Sequence, residues 1–144
     1  MLVLFALAGL GLMLAGTGQV WHTTLQRERE VELLFIGEQF RQAFASYRNA
    51  STNPAASFPT QLEDLVEDKR FPTPRRHLRR IYRDPMTGLA QWGLVKSGAS
   101  IVGIHSLSTG AVLKTSLQGQ DAELAGALQY DQWVFGPAQT GARP

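Results

Sequence analysis

The first 26 residues carry no charged side chain, and no other feature constrains the fold more. From Met1 to Gly16 every residue is Met, Leu, Val, Phe, Ala or Gly, and the first charge is Arg27. A helix rises 1.5 Å per residue, so ~20 residues cross the ~30 Å hydrocarbon core of a bilayer, and Met1 to about Trp21 is long enough to span it. Trp21 falls where an interfacial aromatic would mark the end of such a helix. A cleaved signal peptide would need a basic start, a shorter apolar run and a small-residue cleavage site. No Lys or Arg precedes the run, no Pro interrupts it, and helical patterning continues past it. A domain of this size could hardly cover an all-apolar helix on every side, which disfavours a buried helix of a soluble protein. A membrane helix is therefore expected over residues 1–26. Gly11 and Ala15 form a small-xxx-small pair that would let another helix approach closely in lipid.

The helix is expected to continue. Residues Gln26 to Ala50 are rich in Glu, Arg, Gln, Leu and Ala, all good helix formers. Leu33, Ile36, Phe40, Phe44 and Tyr47 recur at helical spacing and make one apolar stripe, a candidate core seam. Gly37 is the one weak point, at ~1 kcal/mol relative to Ala. Arg27, Glu28, Arg29, Glu30 and Glu32 alternate in sign, which reads as a solvated face and supplies almost no positive-inside signal. Segment 27–50 is thus an amphipathic continuation of segment 1–26.

Segment 51–144 reads as a small α+β domain. Ser51 to Ser57 is a breaker-rich loop, and Thr60-Gln-Leu-Glu63 fits a capping box opening a short helix to about Asp68. Asp84-Pro-Met-Thr-Gly88 reads as a turn. Gln91–Val95, Ile101–Ser106 and Ala111–Lys114 suggest a three-stranded antiparallel meander. Such a sheet needs a partner for its apolar face, and the Leu33–Tyr47 stripe is available. Tyr130–Phe135 could add a final strand, and Gly136–Pro144 looks like a loose tail.

Chemistry is sparse. The chain has no cysteine, which removes disulfides, thiol nucleophiles and Cys-based zinc sites. His22, His77 and His105 are isolated in sequence, and His105-Ser106 with Asp84 lacks the GxSxG elbow of a hydrolase. No enzyme is expected. Arg75, Arg76, Arg79, Arg80 and Arg83 cluster within nine residues. Pairing with Glu63, Asp64, Glu67 and Asp68, within or between subunits, is favoured over nucleic acid or anionic lipid, because aromatic platforms and further basic residues are missing. The overall charge of +2 does not suit wholesale nucleic-acid coating either. Met86 and Trp92 read as packing residues.

A long helix, apolar and then amphipathic, followed by a small antiparallel sheet, resembles the plan of type IV pilin-like proteins. Gln26-Arg-Glu-Arg-Glu30 with Glu32-Leu-Leu-Phe-Ile-Gly-Glu-Gln-Phe-Arg41 resembles the helix of type II secretion pseudopilins of the major, G-like class. Phe58-Pro-Thr-Gln-Leu-Glu-Asp-Leu65 is similar to that family's aromatic-Pro start of a short helix. Arg76-His-Leu-Arg-Arg-Ile-Tyr-Arg-Asp-Pro-Met-Thr-Gly88 followed by Gln91-Trp-Gly-Leu94 resembles a signature of one branch. The resemblance covers about Met1 to Lys114.

The resemblance implies an α+β, type IV pilin-like fold and a structural subunit that polymerises into a filament for protein secretion. Leu4, Gly11, Leu14 and Ala15 would pack in the filament core and the membrane. Arg75, Arg76, Arg79, Arg80 and Arg83 would make inter-subunit charge contacts. Partners would be further copies, other pseudopilins, inner-membrane secretion components and the lipid bilayer. The protein would cross the bacterial inner membrane once, with its C-terminal domain in the periplasm. Members carry a short basic leader, whereas this sequence opens directly in the apolar helix. No cofactor is expected; the resemblance raises calcium in a C-terminal loop, but Asp121, Glu123 and Asp131 lack EF-hand spacing. Two alternatives stand beside this reading. One is a membrane-tethered periplasmic binding or scaffold domain that does not polymerise, and the other a pilus-type protein engaging DNA through Arg75–Arg83.

Overall fold

The computed structural model describes the backbone of residues 2–137 except 115, and the side chains of residues 21–137 except 55 and 115. One helix, α1, runs from Leu2 to Ala50 without a break, 49 residues or ~74 Å. The side chains of Leu4, Gly11, Leu14 and Ala15, and those of the expected membrane span up to residue 20, lie outside the described residues, as does the tail from residue 138. Among the described residues no helix is long and apolar enough to cross a membrane. α1 ends where Ser51 N–H turns back to Arg48 O and a 3-10 turn, Pro54–Ala56, follows. Pro54 has no N–H with which to continue the helix.

The remainder is an α+β layer built on the second half of α1. Helix α2 (Glu63–Val66) is a single turn. No side chain caps its N-cap residue Leu62, so the expected Thr60/Glu63 box is not formed, and Asp64 instead holds the turn that precedes the helix. The Asp64 carboxylate accepts the N–H groups of Thr60 and Gln61 at 3.1 and 3.2 Å. Strands β1 (Gly93–Ser97) and β2 (Ser100–His105) form an antiparallel hairpin with a register shift at Val95/Lys96. Ahead of it, the 84–88 turn closes with Gly88 N–H to Asp84 O at 2.7 Å, and Gly88 takes φ +74°, where a Cβ would be strained.

The sheet has two strands, not three. Ala111–Lys114 does not pair with β2; Ala111 bridges Gln129, and Val112 N–H donates to Leu128 O. The place beside β2 is taken by one residue of the C-terminal segment. Ile104 and Phe135 exchange both backbone hydrogen bonds, at 2.9 and 2.7 Å. Nor is Tyr130–Phe135 a strand. Tyr130–Gln132 is a 3-10 turn, and only Phe135 reaches the ladder.

The core lies between α1 and this hairpin. Leu33, Ile36, Phe40, Phe44 and Tyr47 are all buried, together with Leu65, Trp92, Ile101, Ile104, Tyr130, Trp133 and Phe135. Phe40 is central, its ring edge-on to Trp92 at 5.5 Å and to Tyr82 at 6.5 Å. Trp92 also donates its indole N–H to Tyr82 O at 2.9 Å. Gly37 is the point of closest approach, because a Cβ there would meet the Phe135 ring at 2.1 Å. The apparent weak point of the helix is therefore the seat of an aromatic ring.

Candidate functional site

The stripe that builds the core does not stop at Leu33. Counting back three and then four residues gives Glu30 and Gln26, so both lie on the same face of α1. Glu30 is 1 % exposed, which corrects the expectation of a solvated charge. Its Oε1 accepts the Leu113 N–H at 2.6 Å, the Tyr130 hydroxyl at 2.8 Å and the Lys114 N–H at 3.3 Å. Gln26 completes the junction, its Nε2 donating to Ala111 O at 2.9 Å and to the Tyr130 hydroxyl oxygen at 2.8 Å. Burial pushes the Tyr130 phenol up to about 12; the Gln26 hydrogen bond opposes this and the Glu30 carboxylate adds to it. Backbone groups that a third strand would have spent on β2 are spent here on α1. The 110–114 segment is thus a strap clamped across the helix.

Beside this clamp lies a half-open groove of about 510 Å³ between α1 and the strap. Leu25, Met86 and Leu113 supply its apolar wall, and His22 and Arg29 lie along its helix side. Among the described residues no carboxylate is part of the lining, and Glu30 lies behind Leu113 and Tyr130. Trp21 and Leu25 are exposed at 71 % and 46 %, so an apolar helix face continues from the groove toward the uncharged segment.

At the opposite end of α1 a second polar cluster ties the loop 51–78 to the helix. Asp68 is 1 % exposed and receives two hydrogen bonds from the Arg70 guanidinium, Nε to Oδ1 at 2.9 Å and Nη2 to Oδ2 at 2.7 Å. Arg70 also donates to Ala56 O and Tyr47 O and stacks 3.5 Å over the Tyr47 ring. The Arg70 hydrogen bond holds the Asp68 carboxyl at about 2, against the opposing effect of burial. His77 bridges Asp68 Oδ2 at 3.1 Å and Ser46 Oγ at 2.8 Å. This Ser–His–Asp chain resembles a hydrolase relay only in its order. Ser46 sits inside α1, where neighbouring backbone N–H groups are donated within the helix and none is free to form an oxyanion hole.

Asp84, Ser106 and His105 do not form a relay either. Ser106 Oγ donates directly to Asp84 Oδ2 at 2.7 Å, and His105 Nδ1 lies 2.8 Å from Ser106 O. The same Asp84 carboxylate accepts Met86 N–H and the Thr87 hydroxyl, so it locks the 84–88 turn.

The five arginines are all exposed, and among the described residues none makes an ion pair. The expected pairing within the chain is not seen among the described residues, and three of the four expected acids are engaged elsewhere. Asp68 is already engaged by Arg70 and His77, Asp64 accepts the Thr60 and Gln61 N–H groups, and exposed Glu67 meets Lys69. Arg75 instead stacks 4.2 Å over Phe71, Arg80 lies 5.2 Å from the Tyr82 ring, and Arg83 donates to Gly88 O. A row of cations is left facing outward. The C-terminal acids are also dispersed. Asp121 accepts from Arg41 at 2.7 Å, Asp131 Oδ1 is buried without a hydrogen-bond partner, and no metal-holding group of three His, Asp or Glu occurs among the described residues.

Glu30, Gln26 and Arg70 were not distinguishable from ordinary surface polar residues by composition. For Glu30 and Gln26 the usable signal was phase, since both fall on the apolar stripe. Nothing local marks Arg70, which lies between Lys69 and Phe71 in a short loop. Comparison with known proteins adds nothing to this geometry: no family model, no curated protein and no solved structure matches the chain.

Proposed function

We propose that this protein is a pseudopilin-like structural subunit of a type II secretion or related pilus-type system. It is held in the bacterial inner membrane by the first part of α1, with its C-terminal domain in the periplasm. The observation that carries the reading is the continuity of α1. One 49-residue helix joins an uncharged segment to the seam on which the domain is built. A rigid helix of this kind couples the packing of its apolar half to the position of the domain. In the proposed assembly, apolar halves exchange lipid for one another, so small residues and shape decide packing more than apolar area. Contacts between copies are heterologous and do not close, which yields an open helical stack. The exposed arginines, which make no ion pair among the described residues, suit contacts that set register between copies more than affinity.

The test uses the absence of native cysteine. Single cysteines at Gly11 and Leu14, and others along Leu33–Tyr47, are placed in the full-length protein, and cells are oxidised with and without the ATPase of the proposed assembly machinery. The expected result is a crosslinked ladder from the apolar positions that vanishes without the ATPase. Monomer alone, or a dimer indifferent to the ATPase, would replace the filament with a tethered domain that does not polymerise.

A further inference from the structure

We infer that the groove end of the domain docks on the lipid headgroups, so that the domain sits on the bilayer surface at a fixed height. This rests on the membrane-anchored reading above and adds a second lipid contact to it. The expected membrane span ends at about Trp21, and from Trp21 the helix rises ~6 Å to Leu25, ~8 Å to Gln26 and ~12 Å to Arg29. The polar zone on each side of the hydrocarbon is ~5–8 Å deep. With Trp21 at the inner edge of that zone, Leu25 and Gln26 lie within it and Arg29 lies just beyond. Gln26 brings the strap to the same depth, because its Nε2 is 2.9 Å from Ala111 O.

The chemistry of this end fits a lipid surface. Trp21, Leu25 and Leu113 are exposed large apolar side chains at 71 %, 46 % and 39 %, and Leu128, whose carbonyl accepts the Val112 N–H, is 75 % exposed. Arg29 and His22 line the groove and offer nitrogen atoms to phosphate oxygens, while the Glu30 carboxylate behind the strap is taken up by the Leu113 and Lys114 N–H groups and the Tyr130 hydroxyl. The Glu30 clamp prevents the strap from retreating. The Leu113 and Lys114 N–H groups and the Tyr130 hydroxyl, all donating to its Oε1, hold Leu113 against α1.

The docking is tested in the full chain reconstituted in phosphatidylethanolamine–phosphatidylglycerol vesicles, with one spin label each at Leu14→Cys, Leu113→Cys and Ala99→Cys. Ala99 lies in the β1–β2 turn, is exposed, and is absent from the groove lining; β2 begins beside Pro59, which follows α1 in sequence. Collision with oxygen and with a water-soluble nickel chelate reports depth. The expected result is hydrocarbon depth at Leu14, full water exposure at Ala99, and a several-fold loss of nickel collisions at Leu113 relative to Ala99. That loss should revert when Leu25→Glu is added. Hydrocarbon depth at Leu14 with Leu113 as exposed as Ala99 would overturn the docking and leave the anchor standing. Water exposure at Leu14 would overturn the anchor and the docking with it. Shielding at Leu113 that appears only at high protein density, with spin–spin broadening, would assign the face to a second copy and overturn the lipid contact.

Discussion

Replacing Glu30 by alanine separates two physical pictures of one side chain. On a solvated helix face the change would be neutral or slightly favourable, since Ala is the better helix former by a few tenths of a kcal/mol. In the structure it removes the acceptor of a buried Tyr130 hydroxyl and of the Leu113 N–H. A buried donor without an acceptor costs ~1–3 kcal/mol, so two such donors imply a loss of roughly 2–6 kcal/mol. Glu30→Gln keeps a carbonyl acceptor but gives up the charge assistance, and about 1–2 kcal/mol should go with it. Tyr130→Phe removes one donor while the two strap N–H groups remain bonded to Glu30, which again implies ~1–2 kcal/mol. Because Glu30 and Tyr130 share one bond, the double variant Glu30→Gln/Tyr130→Phe should cost less than the sum, by about 1 kcal/mol. Urea unfolding of the full chain in detergent micelles reads this through tryptophan fluorescence, since Trp92 and Trp133 are 7 % and 0 % exposed. A Glu30→Ala variant within ~0.5 kcal/mol of the parent, the range of ordinary surface changes, would refute the clamp.

Gly37→Ala sets helix propensity against packing: propensity favours Ala by ~1 kcal/mol, whereas overpacking against Phe135 costs ~1–3 kcal/mol. The expected outcome is a net loss in the same unfolding assay, reversed in sign when Phe135 is first changed to Ala, because the ring that the new Cβ meets at 2.1 Å is then gone. Asp68 is the acid-sensitive group. Its folded value of about 2 lies below the ordinary 3.8, so its contribution of ~2 kcal/mol is complete above pH 4 and is lost as pH falls from there through 2. An acid titration of stability should show this loss in the parent and lack it in Asp68→Asn, which starts weaker at neutral pH. Arg79→Ala with Arg80→Ala should leave unfolding within ~0.5 kcal/mol of the parent, because both side chains are exposed. The same pair should reduce the yield of the ATPase-dependent crosslinked ladder and leave retention on DNA unchanged.

What could be read from the sequence follows the range over which each signal acts. Helix α1 and the burial of Leu33, Ile36, Phe40, Phe44 and Tyr47 rest on a period of 3.6 residues within one segment. The 84–88 turn rests on five adjacent residues, and the β1–β2 hairpin on two neighbouring runs. Failure begins where a backbone is satisfied from far away. Ala111–Lys114 reads as a short strand-like run after a Gly-containing turn, yet its N–H groups at Leu113 and Lys114 are taken by a carboxylate more than 80 residues earlier. Binary patterning assigns such a run to a sheet because it cannot see a side-chain acceptor on a helix. The same blindness hid Glu30, whose charge suggested solvent while its phase on the stripe pointed to the core.

The misreading of Glu30 and that of the third strand are therefore one event viewed from its two ends. A strand at Ala111–Lys114 would have completed the sheet and freed the N-terminal part of the stripe from the domain. A carboxylate at position 30 instead draws that segment off the sheet and onto the helix. The vacancy beside β2 is then open to Phe135, whose ring needs the bare backbone of Gly37 to lie down. Clamp, strap, displaced strand and helical glycine form one dependent set, with α1 as its common support. The consequence is mechanical. The domain grips α1 from Gln26 through Tyr47, within a turn and a half of Trp21. Force or displacement applied to the uncharged part of the helix reaches the domain with little slack, as a subunit that moves cargo by stacking would require.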